Sequence, residues 1–237
     1  MFSLFSTPAW FNGWDLVFET IGLVIALLIA AYSWKIYQLN KENRFAYFAL
    51  AFVLVAIGLS MKILTNGILY YTPVRDVAAE VLRPVAGTRL QFSQLLYRGG
   101  FFLEMFPMLG AWLLIFFISQ KSRERLHKLH EVTQIALFIY LILLISIVAN
   151  FKYFVYYLTA SVLLGLIVLN YYKNYLNTGN KNALKVMIAF MLILLSNLLL
   201  VFVFLVPGVY VFGEIILLLG FLFLLHTYRS VTKLRRR

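Results

Sequence analysis

Apolar positions along this chain do not alternate with polar ones. They gather into runs of about 18 to 22 residues separated by short polar connectors. A hydrocarbon core of ~30 Å takes about 20 apolar residues at ~1.5 Å each, so every run is long enough for a transmembrane helix. Seven runs are predicted, at 16–37, 45–64, 99–118, 132–149, 153–171, 184–204 and 209–228. Only residues 150–152 separate the fourth from the fifth, and Pro207-Gly208 separates the sixth from the seventh, so both pairs read as tight antiparallel hairpins. The expected fold is all-α: one polytopic domain over 1–237, a bundle of seven transmembrane helices.

One long stretch breaks this rhythm. Residues 66–98 carry turn signals at Asn66-Gly67, Pro73, Pro84 and Gly87. Between the prolines Val74, Val77 and Val81 recur at helical spacing, with Arg75, Asp76, Glu80 and Arg83 on the other face. That pattern predicts a short amphipathic helix resting on an apolar surface, inside a loop joining helices two and three. Within the runs, small residues share faces: Gly22, Ala26, Ala30 and Ser33 with Glu19, and Gly100, Pro107 and Ala111 with Glu104. Ala49, Ala56 and Ser60, and Ser161 with Gly165, do the same. Such faces let helix backbones approach in lipid, so they are expected to meet inside the bundle.

Composition agrees, with 63% hydrophobic and 13% charged residues, which leaves no room for a separate soluble domain. The absence of cysteine excludes disulfides, thiolate metal sites and cysteine nucleophiles. The placement of the +12 net charge sets the orientation. Counting alternate sides, 15 of the 21 basic residues fall on one face, among them Lys35, Lys41, Arg44, Lys173, Lys181, Lys185 and Arg229. By the positive-inside rule that face is internal, the N-terminus is outside and the 66–98 loop is external. Residues 1–15 hold no Lys or Arg but include Trp10 and Trp14, which suits interface anchoring rather than a cleaved leader. A charge distribution of this kind meets lipid headgroups rather than nucleic acid, and Lys233, Arg235, Arg236 and Arg237 are expected to hold anionic lipid at the inner face. The expected location is the cell membrane.

Polar groups within the bilayer are costly and are therefore the candidates for function. Glu19, Glu104 and Glu214 each sit about four to seven residues in from the outer end of their runs, or ~6–10 Å deep. Asn197 and Thr159 fall in the same outer half and complete the predicted pocket. Lys62 is also there, but off the small-residue face, so it is expected to snorkel to the outer headgroups. Glu104 is expected to face inward, near a polar group of the first or seventh run, with Arg98 and Lys62 its nearest cations. No catalytic set assembles, and no metal or cofactor site is expected. His127, His130 and His226 lie at the inner end, and the HKLHE run at 127–131 lacks the spacing of a zinc-binding helix.

Among seven-span groups, microbial rhodopsins need a lysine in the last span, which 209–228 lacks. Sugar transporters of the SWEET type place prolines within their repeats, whereas Pro107 is alone inside a span here. Alkaline ceramidase-like hydrolases need more histidines around zinc. WFNGWD at 10–15, then YSWKIYQLNKENRFAYFALAF at 32–52 and the long loop, resemble a set of uncharacterised seven-span archaeal membrane proteins. The resemblance implies a compartment and a fold and carries no functional residues. The functional expectation is a non-enzymatic protein with an outward-facing polar pocket that senses or binds a ligand or a partner protein. Small internal loops mean that a sensor would signal through another membrane or cytoplasmic protein. The alternatives are a small-solute or proton-coupled carrier and an outer-leaflet lipid-modifying enzyme.

Overall fold

The computed structural model describes residues 8–11, 13–71, 73, 77, 80, 89–120, 153–203 and 205–234. A 3-10 turn at Ala9–Phe11 leads into six long helices: α1 Trp14–Asn40, α2 Asn43–Tyr70, α3 Arg89–Gln120, α4 Tyr153–Thr178, α5 Lys181–Val201 and α6 Gly208–Leu234. All six contain stretches long and apolar enough to cross a membrane, and there is no strand among the described residues. The chain is an all-α, multi-pass membrane protein. The predicted fourth run, the HKLHE stretch and Arg235, Arg236 and Arg237 lie outside the described residues, as does the side chain of Lys233.

The helices overrun the apolar runs because hydropathy marks where polar positions begin, not where helical backbone stops. Helix therefore covers 66–70 and 89–98, both ends of the stretch read as an external loop. Within that stretch the described residues Pro73, Val77 and Glu80 are helical. Local chemistry fixes several ends. The Asp15 side chain accepts from the Gly13 and Leu16 N–H groups at the start of α1, and Gly13 enters at φ 97°, where a side chain would strain. Lys41 turns left-handed after α1, its N–H reaching the Tyr37 carbonyl. The Asn180 side chain caps α5 by accepting from the Asn182 N–H. Pro107 sits within α3 without ending it.

The helices close into a ring: each packs on its neighbour in sequence, and α6 returns to α1. The α3–α4 pair runs parallel, because Tyr153 at the start of α4 meets Glu104 midway along α3, while Asn170 further along α4 meets Ser119, at 3.0 Å, near the end of α3. α1 and α6 are parallel as well, with Phe11 against Tyr210 before Gly22 reaches Phe221. The small-residue faces predicted on α1 and α3 are buried. Glycines let helices touch. A Cβ on Gly100 would collide with the Thr65 side chain, and one on Gly220 would lie 2.7 Å from an Ile193 side-chain carbon.

α2 is enclosed by three other helices. Phe48, Phe52, Val55, Leu59, Lys62 and Asn66 form one buried stripe at spacings of three and four. Lys62 is thus on an inward face of its own, and only 7% of it is exposed. The expected snorkelling is overturned: α2 packs on α1 and α3 and meets α6 through Phe48–Tyr228 and Phe52–Phe221, so its buried arc is wider than its small-residue face. The far half of the interior is apolar and aromatic, filled by Ile25, Ile29, Phe52, Val55, Phe221 and Leu224.

Candidate functional site

The end of the bundle where α1 begins holds a layer of charge. From α1, Glu19 projects inward one turn after Asp15; from α6, Glu214 does so six residues after Gly208. Between them, the Lys62 ammonium of α2 makes ion pairs of 3.0 Å to Glu19 Oε1 and 2.9 Å to Glu214 Oε1. The Asn66 amide, one turn further along α2, donates from Nδ2 to both Glu19 oxygens at 3.2 and 3.5 Å. The Tyr210 ring faces the ammonium at 5.6 Å and is met on another side by Phe11. Charge-assisted contacts of this kind offset the cost of taking both ions out of water only when the remaining hydrogen-bond positions are filled.

Glu104 of α3 is the third carboxylate of the layer and is buried. Its Oε2 accepts from the Tyr153 hydroxyl of α4 at 3.0 Å. The hydrogen-bond partner comes from the fifth run, because parallel packing of α3 on α4 brings the start of α4 beside it. Glu104 lies within electrostatic range of Lys62 and Glu214. Tyr153, Tyr156 and Tyr157 pack ring against ring with centroids 5.0–6.5 Å apart, and Phe101 stands edge-on to Tyr153 at 4.8 Å.

The three glutamates singled out from the sequence thus share one layer, while the other two candidates make hydrogen bonds within their own helices. Asn197 is buried but donates to the Ile193 carbonyl of its own helix, and half-buried Thr159 donates to Val155. Beside Asn197, Ser196 ties α5 to α6 through the Gly213 carbonyl at 2.8 Å. Sequence reasoning missed Asn66, Tyr153 and Tyr210. Each carried one usable signal, a polar or phenolic group at the depth of the glutamates, but tyrosines at a membrane boundary also suit the interface belt. Trp10 and Trp14 are exposed, as anchors would be.

Among the described residues no three His, Cys, Asp or Glu side chains gather as metal ligands. The arrangement can hold a fixed ammonium, bind further hydrogen-bond donors and take up protons. Comparison with family models, with curated proteins and with solved structures finds no match for this chain.

Proposed function

We propose that the chain crosses the membrane seven times with its N-terminus outside, and that the charged layer is an outward-facing centre that binds a solute. Two parallel neighbours support the odd number of crossings. A chain alternating through only six spans would leave its third and fourth helices antiparallel, and its first and sixth too, whereas both pairs run parallel. The internal face is supported by Lys35, Lys41, Lys173, Lys181, Lys185 and Arg229, all at the end opposite the layer.

The observation that carries the binding reading is the layer itself. Among the described residues, three glutamates and one ammonium are buried in one layer on four helices, above an inner half that holds no buried charge. Neutral packing would stabilise the helices at least as well, so keeping charges here suits a site better than a staple. Glu19 and Glu214 are both engaged on Lys62, which favours binding over acid–base chemistry on lipid.

Access from outside tests this directly, because the chain has no cysteine of its own. With Asn66→Cys as the sole thiol, a membrane-impermeant cationic methanethiosulfonate added outside should react about tenfold or more faster than its anionic sulfonate counterpart, as an excess of carboxylate focuses cations. No reaction from outside, with the same thiol reactive in the unfolded chain, would remove the outward-facing centre.

A carrier is the second reading, favoured by the α3–α4 seam. Polar groups recur along it at three levels: Glu104 with Tyr153, then Trp112 and Ser161, then Ser119 with Asn170. At the middle level the Trp112 Nε1 and Ser161 Oγ atoms have no hydrogen-bond partner among the described residues. Proton flux in proteoliposomes that Glu104→Gln abolishes would favour the carrier over the binder.

A further inference from the structure

The chemistry of the layer specifies a class of ligand, an inference that rests on the outward-facing reading above. Among the described residues of the layer, one ammonium serves three glutamates. Lys62 is shared by Glu19 and Glu214, whereas Glu104 has the Tyr153 phenol and, among the described residues, no ion pair within 4.0 Å. An ionised carboxylate buried in hydrocarbon costs several kcal/mol unless a positive charge stands beside it. What surrounds Glu104 is suited to such a charge. The Tyr153 ring, whose hydroxyl meets Glu104, packs against those of Tyr156 and Tyr157, and ring faces attract cations within about 6 Å. The layer already holds one ammonium in this manner, Lys62 with carboxylates on one side and the Tyr210 ring at 5.6 Å.

A separate observation points to a donor rather than an acceptor. The Asn66 side chain, 2% exposed, spends its Nδ2 on Glu19 and leaves Oδ1 with no partner among the described residues. A buried amide oxygen without a hydrogen bond is destabilising, and it is satisfied by an N–H or O–H donor. An anionic ligand would meet three carboxylates and that oxygen, which disfavours it.

We propose that the layer binds a small organic solute bearing a primary ammonium group, its ammonium set against Glu104 and the rings of Tyr153, Tyr156 and Tyr157, with Asn66 Oδ1 accepting a donor from the same solute. The fixed Lys62 ammonium then serves as a counter-charge that keeps Glu19 and Glu214 from competing for the ligand.

Thermal unfolding of the full chain in lipid nanodiscs tests this, with ethylammonium chloride, sodium chloride and sodium propionate compared at one ionic strength. Ethylammonium should raise the midpoint saturably and the two sodium salts should not. Glu104→Gln should fold and lose the saturable shift. Glu104→Asp keeps the charge but retracts it by one methylene, and should raise the half-saturating concentration about tenfold; it is the deciding variant if the glutamine form does not fold. Equal shifts from ethylammonium and sodium, or a response to ethylammonium unchanged in these variants, would overturn the proposal. If Asn66→Cys is reached from outside and ethylammonium still gives no saturable shift, the ligand class is wrong and the outward-facing centre stands. If the thiol is not reached, the centre itself falls.

Discussion

Lys62→Met should destabilise the protein by about 3–5 kcal/mol, the cost typical of removing one partner from a buried ion pair. Methionine matches the length and shape of lysine, so the change isolates the charge. It leaves Glu19 and Glu214 facing each other across the vacated ammonium position, both buried and without their shared counter-ion. The Asn66 amide remains on Glu19 but cannot replace a full charge. Adding Glu19→Gln and Glu214→Gln to Lys62→Met should recover most of the loss, because three neutral groups of the same shape need no counter-ion. Unfolding in mixed lipid–detergent micelles would measure both. If the single variant is as stable as the parent, Lys62 is not buried between the two carboxylates.

Gly220→Val should cost about 1–3 kcal/mol or more, the range for forcing extra atoms into a packed interior. At this position a Cβ would sit 2.7 Å from an Ile193 side-chain carbon, 3.2 Å from the Ile193 nitrogen and 3.3 Å from the Ala189 carbonyl oxygen. Two of those atoms are backbone and cannot rotate aside, so α5 and α6 must separate. In lipid that separation is expensive, since helix association there depends on close packing rather than on exclusion of water. Gly165→Ala is the matched comparison. No described residue lies within 4 Å of a Cβ there, and α4 gains up to about 1 kcal/mol from removing a flexible glycine. Equal effects at 220 and 165 would contradict the packing of α5 on α6.

The contrast between these sites indicates what could be read from sequence. The six described helices follow from run length and hydropathy, because the hydrocarbon thickness imposes one length on every span. The inward faces of α1 and α3 were legible for the same reason that Glu19 and Glu104 were: small residues and costly acids at helical spacing. Lys62 was not, because its burial depends on how many neighbours α2 has, and a single helix does not record that. Nor was the Glu104–Tyr153 bond, since the parallel packing of α3 on α4 is a fact of assembly. The stripe Phe48, Phe52, Val55, Leu59, Lys62, Asn66 was present in the sequence, but a lysine in it reads as an interruption until two carboxylates are placed opposite. Asn197 and Thr159 carry polar groups whose hydrogen bonds stay within their own helices. Both turn back on carbonyls of their own helices, a common resting place for short polar side chains in membranes.

The claim on which the rest depends is that the charged layer faces outward on a chain with an odd number of crossings. Single cysteines at Ser3 and Thr232, probed in intact cells with a membrane-impermeant maleimide, test it most directly. The account predicts labelling at residue 3 and none at residue 232 until the membrane is permeabilised. Labelling of both from outside would mean an even number of crossings, and labelling at 232 alone would place Glu19, Lys62, Glu104 and Glu214 on the inner side.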